Sequence, residues 1–389
     1  MKLAIVRQRY NPFGGAERFV ERALAALVAQ GAQVTLIARD WKGGSDSGFE
    51  TILCPPPAHP LFNGRTGRDR GFARCVQKTI AERDFDLVQT HERISGCSIF
   101  RAGDGVHAAW LAHRAPYISP LKRFSQSFSA YHRYVLAAER AMFAHPALQA
   151  VICNSQMVAS EIAEIYGLDR RKLHVIYNGV DTEDFHPRLA EAYRQETRLH
   201  LGIPPHVPLL LYVGSGYERK GVPQLLRAFA SLKRRDAHLI VIGDDRKLQP
   251  TKTAAARLGL AGRAHFLGPV QDVRPFYGAA DGFVLPTIYD PCPNAALEAM
   301  ACGLPIVTSE GCGAKEWVKE GANGWVVDLA KESALTTALE NLCAAAGDET
   351  MGARARSAVA HLDLKNMSEQ LLTLYRALLG ARNSSPTSK

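Results

Sequence analysis

The sequence predicts an α/β protein with two similar domains, each built on a sheet of parallel strands. In one recurring unit an apolar strand leads through a glycine loop into an amphipathic helix, first in residues 2–30 and again in residues 209–234. Units of this kind, repeated along a chain, form parallel sheets covered by helices. In addition, 389 residues, 47% of them hydrophobic, are enough for two separate cores.

Charge and hydropathy narrow the class of protein. The formal net charge of +9 suits nucleic acid, an anionic membrane surface or an anionic small substrate. Nucleic acid ranks last, because the sequence has no Lys/Arg-rich tract with interleaved nucleic-acid motifs. No run of about 18 apolar residues occurs, so we expect no membrane span. The apolar run in residues 1–6 is too short for a signal peptide, and we expect a cytoplasmic protein.

The eight cysteines are scattered along the chain and include no C-x-x-C pair. Such spacing argues against a zinc site and against a disulfide framework, in keeping with a cytoplasmic location. We expect most of these cysteines to be small buried hydrophobic side chains.

The first glycine loop follows a predicted strand at residues 2–6. Gly14 and Gly15 stand directly before a helix predicted over residues 16–30, and the next strand is predicted over residues 33–38. Paired glycines let the backbone approach a ligand and leave the helix amides free to bind an anion. The loop lacks the G-x-G-x-x-G pattern of dinucleotide enzymes, and a glycine pair alone does not identify a ligand.

An acidic residue follows a strand end further along. Residues 43–71 are rich in turn formers and are interpreted as loop; a helix is predicted over residues 72–83, and strands over residues 85–90 and 98–102. Asp104 comes directly after the last of these strands, between two glycines. An Asp in this context usually starts a turn, but catalytic residues of α/β proteins also lie at the carboxyl ends of strands.

Residues 105–138 contain no Asp or Glu, although they hold four basic and six aromatic residues. Basic and aromatic residues without acids suit an anionic lipid surface. The alternative is a helix pair that buries its aromatic side chains in the first domain. Both interpretations stay open at this point.

The second glycine loop, residues 214–221, lies between a strand at residues 209–213 and a helix at residues 222–234. Arg219 and Lys220 precede its last glycine. The arginine fork and the lysine point charge both suit a diphosphate, although such a pair alone is usually solvated surface. The other predicted elements are strands at residues 149–153, 173–176, 238–243, 264–267, 282–285, 306–308 and 324–327, and helices at residues 156–166 and 367–379.

Residues 289–305, with the sequence YDPCPNAALEAMACGLP, form the most informative stretch of the chain. Two prolines make its first part a rigid, extended loop. Asn294 is a good N-cap for a short helix, whose first residues, including Ala295, present free amides to an anion. Asp290 and Glu298 frame the loop, and each carboxylate can accept two hydroxyl hydrogen bonds from a polyhydroxyl ligand. Taken singly, Asp290 can merely start a turn and Glu298 can complement the helix dipole.

This stretch resembles the signature of retaining glycosyltransferases of family 4. In that signature an acid is followed by seven residues and then by a Glu, which is the first residue of the run Glu-Ala-Met-Ala-Cys-Gly-x-Pro. This chain departs from the signature at Asp290, where Glu is usual. The resemblance covers nearly the whole chain and implies the GT-B fold, with two facing Rossmann-like domains and a central cleft. It implies an acceptor-binding domain over residues 1–180, joined by a C-terminal helix at about residues 364–389. The nucleotide-sugar-binding domain is then residues 181–363.

The resemblance implies transfer of a sugar from a nucleoside diphosphate donor with retention at the anomeric carbon. Arg219 and Lys220 are then expected to neutralise the departing diphosphate, whose charge grows in the transition state. Glu298 is expected to hold the ribose and Asp290 the donor sugar. The remaining expected donor ligands are the loop residues Gly14 and Gly15 and the helix residues Asn294 and Ala295. No metal is expected, because two cations and helix amides can replace one.

Within the family, the glycine loops and Asp104 are most similar to the transferases that add glucose to a heptose of the lipopolysaccharide core. In those enzymes an Asp at this position faces the reaction centre. The resemblance implies UDP-glucose as donor and a phosphorylated, lipid-linked heptose as acceptor. It also suits peripheral attachment to the inner face of the cytoplasmic membrane through residues 105–138.

Three alternatives stay open. One is a family 4 transferase with another donor or another acceptor. A second is an NAD(P)-dependent oxidoreductase, against which the missing G-x-G-x-x-G argues. A third is a non-catalytic binder of anionic lipid or nucleic acid, which donor hydrolysis or sugar transfer by the purified protein would exclude.

Overall fold

The computed structural model describes residues 1–10, 31–41, 49–56 and 64–384. The chain divides into two units, and the first consists of Met1–Asn178 together with Leu364–Lys389. The second unit is Gly179–Asp363. The chain therefore leaves the first unit two residues before the predicted boundary and returns to it at the predicted one.

The first unit has a seven-stranded parallel sheet in the order β3-β2-β1-β4-β5-β6-β7. Its strands are β1 (Lys2–Tyr10), β2 (Gln33–Trp41), β3 (Glu50–Leu53), β4 (Leu87–Thr90), β5 (Ile99–Ala102), β6 (Ala150–Cys153) and β7 (Leu173–Val175). Its helices are α1 (Arg65–Glu82), α2 (His107–Arg114), α3 (Pro120–Ser127), α4 (Ala130–Phe143), α5 (Gln156–Tyr166) and the C-terminal α13 (Leu364–Ser384), with short 3₁₀ turns at Ala115–Tyr117 and Arg170–Lys172.

Both faces of this sheet are covered, as parallel sheets require. Leu3 and Ile5 of β1 point to a face that packs against Leu371 and Tyr375 of α13, which explains why the chain returns to its first unit. Alternate residues of β1 point to the other face, where Phe72 of α1 is buried.

Residues 43–71, interpreted as a loop, in fact contain β3 and the first turns of α1. The prediction missed the start of α1 because its first seven residues, RTGRDRG, carry no apolar period. The buried residues of this helix are Phe72 and Val76, so none of its first seven residues is buried. β3 is a four-residue edge strand whose burial is only partial, and edge strands give a weak sequence signal.

The cysteine prediction was wrong at one pair. Cys54, after β3, and Cys75, on α1, form a disulfide with their Cα atoms 5.8 Å apart. The two positions are 21 residues apart in sequence, and they meet only because α1 packs on the sheet face beside the end of β3. The other six cysteines are free and buried, in line with the expectation of small buried side chains.

The second unit has a six-stranded parallel sheet in the order β10-β9-β8-β11-β12-β13. Its strands are β8 (Leu209–Val213), β9 (His238–Ile242), β10 (Ala264–Gly268), β11 (Gly282–Leu285), β12 (Ile306–Ser309) and β13 (Gly324–Val327). Its helices are α6 (Arg188–His200), α7 (Val222–Ala230), α8 (Leu248–Arg257), α9 (Arg274–Ala279), α10 (Asn294–Ala301), α11 (Glu332–Ala344) and α12 (Glu349–Val359), with a 3₁₀ turn at Gly313–Trp317.

α7 shows how the apolar period sets this packing. Val222, Leu225, Leu226 and Phe229 are buried at the helical spacing, and the helix ends at Ala230 rather than at the predicted residue 234. The residues that follow, SLKRR, are mostly polar and offer no further buried stripe.

A buried ion pair anchors α6, a helix that the sequence analysis did not predict. The guanidinium of Arg198 donates to Asp281 Oδ2 at 2.7 Å and also to backbone carbonyls, among them that of Ala279 at 2.9 Å. Arg194 reaches the other oxygen of Asp281. Arg198 is fully enclosed, so these bonds replace the water that its charge would otherwise need.

None of the helices in the described part of the chain combines the length and apolar character that a membrane crossing requires.

Candidate functional site

The sheet of the second unit reverses its strand order between β8 and β11. β9 and β10 lie on one side of β8, whereas β12 and β13 lie beyond β11. In open parallel sheets, ligands bind at such a switch point, beside the carboxyl ends of the strands. The loops that leave β8 and β11 there are the two that the sequence analysis singled out.

A glycine brings these two loops into contact. Gly221, which immediately precedes α7, has φ +75°, and a Cβ atom at this position would lie 1.8 Å from the carbonyl oxygen of Pro286. The backbone after β8 therefore presses directly on the backbone after β11. Thr287 and Ile288 both donate hydrogen bonds to the carbonyl of Arg219, which ties the loops together.

Arg219, Lys220 and Asp290 form one charged cluster. Lys220 Nζ lies 3.1 Å from Asp290 Oδ2, and Arg219 Nη1 lies 3.7 Å from the same oxygen. Arg219 also donates to the carbonyl of Tyr289 at 2.9 Å. Arg219 is the most exposed of the three, so its guanidinium is the group best able to reach a ligand in solvent.

The backbone of Asp290 is held on both sides. Its N–H donates to the carbonyl of Gly311 at 2.9 Å, and its own carbonyl accepts from Gly313 at 2.9 Å. These bonds join the loop after β11 to the loop after β12. The carboxylate of Asp290 thus has a fixed position relative to the two cations.

Glu298 lies one turn into α10, where Tyr277 orients it. The Tyr277 hydroxyl is 2.9 Å from Glu298 Oε2 and 3.1 Å from the carbonyl of Ala295. Burial and the neighbouring Glu298 carboxylate raise the pKa of Tyr277 well above its ordinary value, so the hydroxyl keeps its proton. Tyr277 is a positioning residue that the sequence analysis missed, since no motif marks it.

The predicted N-cap at Asn294 was wrong by one position. Asn294 is the first residue of α10, Pro293 occupies the cap, and no side chain caps the helix. Pro293 has an extended backbone, which starts the helix one residue earlier than the Asn preference indicated. Ala295 therefore lies at the second helical position, and the apolar side chains of Leu297, Met300 and Ala301 are buried.

Asp245, after β9, organises the loop that carries the two cations. Its carboxylate accepts from the backbone N–H of Tyr217 at 2.7 Å and from that of Lys247 at 2.7 Å. Lys247 in turn pairs with Glu218 at 2.6 Å. Asp245 thus acts in a strand-end turn, as Asp commonly does.

In the first unit, Asp104 is exposed in a clamped turn after β5. Asn154 donates to the carbonyl of Gly103 at 2.9 Å, and Arg93 donates to the carbonyl of Gly105 at 3.0 Å. Gly105 has φ +66°, the left-handed conformation that favours glycine. The turn is therefore real, and it presents the Asp104 carboxylate to solvent at the carboxyl edge of the sheet.

The buried carboxylate of Glu139, on α4, supports this turn through Arg93. It accepts from Arg93 Nε at 3.3 Å, from the backbone N–H of His107 at 2.6 Å and from the Tyr166 hydroxyl at 2.6 Å. Glu139 thereby fixes both the arginine that holds Gly105 and the start of α2. Neither Arg93 nor Glu139 is predicted from the sequence, because each is an isolated charged residue without a motif.

Residues 105–138 form α2, a 3₁₀ turn, α3 and the start of α4. Leu121, Phe124 and Phe128 are exposed, with 78%, 66% and 66% of their surface accessible. Tyr131 and Tyr134 are instead partly covered by the guanidinium groups of Arg65 and Arg70. The alternative of aromatic burial therefore holds for part of the stretch, while α3 and the residue after it keep an apolar surface.

Gly14 and Gly15, predicted to cover the donor phosphates, lie outside the described residues. The other predicted site residues fall into two groups. Arg219, Lys220 and Asp290 are brought together in the second unit, with Asn294, Ala295 and Glu298 on the helix that follows. Asp104 belongs to the first unit.

Two family models match this chain. The model described as Glycosyltransferase Family 4 matches residues 13–184, and the model described as Glycosyl transferases group 1 matches residues 207–345. The first lies almost wholly in the first unit and the second wholly in the second unit. The resemblance predicted from residues 289–305 is thus confirmed by both halves of the chain.

Relatives and solved structures agree with the two family models. The chain is 27% identical over 334 residues to the lipopolysaccharide glucosyltransferase WaaG of Escherichia coli (strain K12), covering 84% of this chain and 85% of that protein. It is 26% identical over 343 residues to the lipopolysaccharide core biosynthesis glycosyltransferase LpsE of Rhizobium meliloti (strain 1021), covering 88% and 89%. The crystal structure of WaaG superposes with a TM-score of 0.81 at 25% identity, covering 96% of this chain and 99% of that one. The predicted GT-B fold is confirmed.

Proposed function

Because this chain belongs to the GT-B glycosyltransferases, with family 4 and group 1 models matching its two halves, we propose that it transfers a hexose from a UDP-sugar to a heptose of the lipopolysaccharide inner core, with retention at the anomeric carbon. Glucose is the proposed hexose. The similarity to WaaG and LpsE supports the lipopolysaccharide acceptor.

The observation that carries the proposal is the cluster of Arg219, Lys220 and Asp290 at the switch point of the second sheet. Two cations and one carboxylate on adjoining loops match a donor that has both a diphosphate and a hydroxylated sugar. The cations bind the diphosphate, and Asp290 accepts hydroxyl hydrogen bonds from the sugar.

In the proposed reaction the bond between the anomeric carbon and the diphosphate breaks while a bond to the acceptor hydroxyl forms. Negative charge grows on the departing UDP, and Arg219 and Lys220 stabilise it more strongly in the transition state than in the ground state. Asp104 is the proposed acceptor of the hydroxyl proton. Glu298, oriented by Tyr277, binds the ribose.

The proposed donor site needs no metal ion, because its two cations supply the charge that Mg²⁺ supplies in other transferases. The proposed acceptor is lipid-linked and anionic, in keeping with the net charge of +9. The exposed apolar residues of α3, next to Lys122 and Arg123, support peripheral contact with an anionic membrane. The proposed location is therefore the inner face of the cytoplasmic membrane.

A second candidate is a family 4 transferase with another nucleotide-sugar or another lipid or polysaccharide acceptor. The departure at Asp290 favours keeping this candidate, since Asp is one methylene shorter than the usual Glu and sits where the donor sugar is expected.

The first test is a thermal-shift screen across UDP-, GDP-, ADP- and dTDP-glucose. A donor at 100 times its Kd should raise the free energy of unfolding by about 2.7 kcal/mol, and we expect this effect with UDP-glucose. The second test adds a heptose-terminated core lipid with EDTA present and determines the product linkage by NMR. Stabilisation by a different nucleotide would favour the second candidate, and an inverted linkage or activity lost with EDTA would remove the corresponding part of the proposal.

A further inference from the structure

Outside the proposed donor site, the first residues of three helices of the first unit meet in one polar cluster. Arg65 begins α1, His107 begins α2, and Tyr131 and His132 lie in the first turn of α4. We call these four residues the Arg–His cluster. The guanidinium carbon of Arg65 lies 3.9 Å from the centroid of the Tyr131 ring, and His107 Nε2 lies 2.9 Å from His132 Nδ1. The rings of His107 and Tyr131 meet edge to face at 6.1 Å.

Among the described residues, the acids that act on this cluster already have other partners. The charged groups that act on it are Arg65 and Asp69 from α1, Glu92 and Arg93 after β4, Arg114 from α2 and Glu139 from α4. Each of the three acids has its own partners: Asp69 pairs with Gln8 and Arg39, Glu92 accepts from the backbone of Gln8, and Glu139 is the acceptor described above. Within the described residues, Arg65 has no carboxylate at ion-pair distance.

Burial, and after it the neighbouring cations, keep both histidines neutral at ordinary pH. Burial, His132, Arg93 and Arg65 lower the pKa of His107 to about 4, and burial, Arg114 and Arg65 lower the pKa of His132. In a neutral pair one ring donates to the other, so only one of the two remaining nitrogens carries a proton. One added proton makes both of these nitrogens donors and gives the pair a positive charge. The negative charge of a bound anion would offset the free-energy cost of that protonation.

We propose that the Arg–His cluster binds a phosphate group carried by the acceptor saccharide. The proposal rests on the proposed function and names a subsite for its acceptor. Arg65 is exposed, and stacking on Tyr131 restrains its planar fork, which lowers the entropy lost on binding an oxyanion. His107 and His132 supply further donors from two other helices. Together with the arginine fork, one of these ring N–H groups can bind oxygens of a phosphate monoester.

The proposed subsite lies near the exposed Asp104 within the same unit. Arg93 donates to the carbonyl of Gly105 in the Asp104 turn, and Glu139, which binds Arg93, also accepts from the backbone N–H of His107. A saccharide phosphate held by the cluster would therefore place the acceptor beside the carboxylate proposed to take its proton. The subsite would select phosphorylated acceptors and orient them.

The test separates anion binding from catalysis by using inorganic sulfate, an oxyanion that does not titrate between pH 5 and 8. We expect sulfate to shift the NMR signals of the His107 and His132 rings and to bind more tightly at pH 6 than at pH 7.5. Arg65→Gln should weaken sulfate binding by about tenfold or more. The matched control is Arg70→Gln, because Arg70 is also exposed and lies over a tyrosine of the same helix, 5.2 Å from the ring of Tyr134, and we place it outside the cluster.

Equal sulfate affinity in wild type and Arg65→Gln, or loss to the same degree in Arg70→Gln, would overturn the site. Acceptor kinetics then identify the source of the phosphate. We expect Arg65→Gln to raise KM for an intact core acceptor, with little change for the same acceptor after phosphatase treatment. If the variant instead loses binding only to phosphatidylglycerol vesicles, the cluster serves a lipid headgroup and the acceptor assignment is wrong.

Donor binding shows whether a failure belongs to this inference or to the proposed function. Stabilisation by UDP-glucose should be the same in wild type, Arg65→Gln and Arg70→Gln, because neither arginine is among the proposed donor residues. Normal sulfate results without any donor effect would refute the proposed transferase reaction but leave the anion site standing. A normal donor effect without sulfate binding would refute the anion site but leave the proposed transferase reaction standing.

Discussion

The ion pair between Lys220 and Asp290 joins two residues to which the proposal assigns different parts of the donor. At 3.1 Å it is a direct contact, and both side chains are largely buried. A diphosphate that binds Lys220 must therefore share the cation with a carboxylate already beside it. The pair fixes Lys220 in place before binding and also reduces the net charge offered to UDP.

Arg219 and Lys220 should contribute more to the transition state than to donor binding, since the charge on the departing UDP grows as the bond breaks. We expect Arg219→Ala and Lys220→Ala each to cost roughly 2–4 kcal/mol, or about 30- to 1,000-fold in kcat. Kd for UDP should change less. Steady-state kinetics and calorimetry with UDP measure the two effects, and Arg227→Ala on α7 is a control on a nearby basic residue. Wild-type turnover in both variants would remove these residues from the mechanism.

Asp290 and Glu298 should differ in the part of the donor that they bind. Asp290→Asn removes a sugar ligand and also the carboxylate that partly neutralises Lys220, so we expect UDP to bind no more weakly while UDP-sugar loses its advantage over UDP. Glu298→Ala should weaken UDP itself, because the proposed partner is the ribose. Calorimetric titration of UDP and of UDP-sugar against both variants checks the assignment. A variant of Asp290 that weakens both ligands equally would show that the two acids are wrongly assigned.

At the residue scale, the sequence predicted where the three charged residues of the candidate site stand better than it predicted the residues that support the two predicted sites; the binding roles stay a prediction. Arg219, Lys220 and Asp290 stand in loops at strand ends, and such positions follow from the chain order. Tyr277 and Glu139 act through tertiary contacts, across 21 residues to Glu298 and 46 residues to Arg93, which no local pattern encodes.

Among the elements, the buried strands were predicted most closely. β8, β11 and β13 have the predicted bounds, because short apolar runs between turn formers have few alternatives. α5 also has its predicted bounds, with Ser155 as the N-cap and Gly167 in the left-handed conformation at its end. The start of α1 was wrongly interpreted as loop, and α6 was not predicted. Both helices have partly polar surfaces, so they depend on packing rather than on an apolar period.

α3 is the element on which the proposed membrane contact depends. Leu121 and Phe124 expose an apolar surface beside Lys122 and Arg123, and each basic residue near an anionic surface is worth about 1 kcal/mol. We therefore expect the protein to bind phosphatidylglycerol vesicles and to leave them at high salt. The double variant Lys122→Gln/Arg123→Gln should lose roughly 30-fold in vesicle affinity, from about 2 kcal/mol.

Vesicle cosedimentation measures this, and Phe124→Ser should also weaken binding at low salt, because it removes apolar surface that enters the membrane. Leu199→Ser is the matched control, because Leu199 is 79% exposed on α6 of the other unit. Equal binding to neutral and anionic vesicles, or an equal loss in the Leu199 control, would argue against α3 as the membrane contact.

At the scale of the whole molecule, the two sheets share one plan. In each, the first strand of the unit lies beside the strand at which the order reverses, β1 beside β4 and β8 beside β11. The sequence predicted this plan from the repeated strand–loop–helix unit. It could not reveal the Cys54–Cys75 disulfide, because that contact depends on how α1 lies against the sheet.

Histidines distributed over both units should make the stability of the whole molecule depend on pH. Burial is the largest cause that lowers the pKa in seven of them: His91, His107, His132, His174, His186, His238 and His265. A histidine with a lowered pKa stays neutral in the folded state while the unfolded chain takes up a proton near pH 6.5. Its effect on stability is absent above that pH, and the free energy of unfolding falls as the pH drops toward the folded pKa.

We therefore expect the urea midpoint to be constant between pH 8 and 7 and to fall from about pH 6.5 downward. Each unit of pKa difference corresponds to about 1.4 kcal/mol. All seven sites act in the same direction, so the decline should be measurable against a total stability of roughly 5–15 kcal/mol. Glu92 acts in the opposite direction, because burial raises its pKa and its contribution to stability is lost as the pH rises; one such group cannot offset seven.

His107→Gln should flatten the decline of the urea midpoint between pH 6.5 and 4.5 more than His200→Gln, a control at an exposed position on α6. A midpoint that stays level down to pH 4.5 would mean that these histidines gain protons in the folded state as easily as in the unfolded chain.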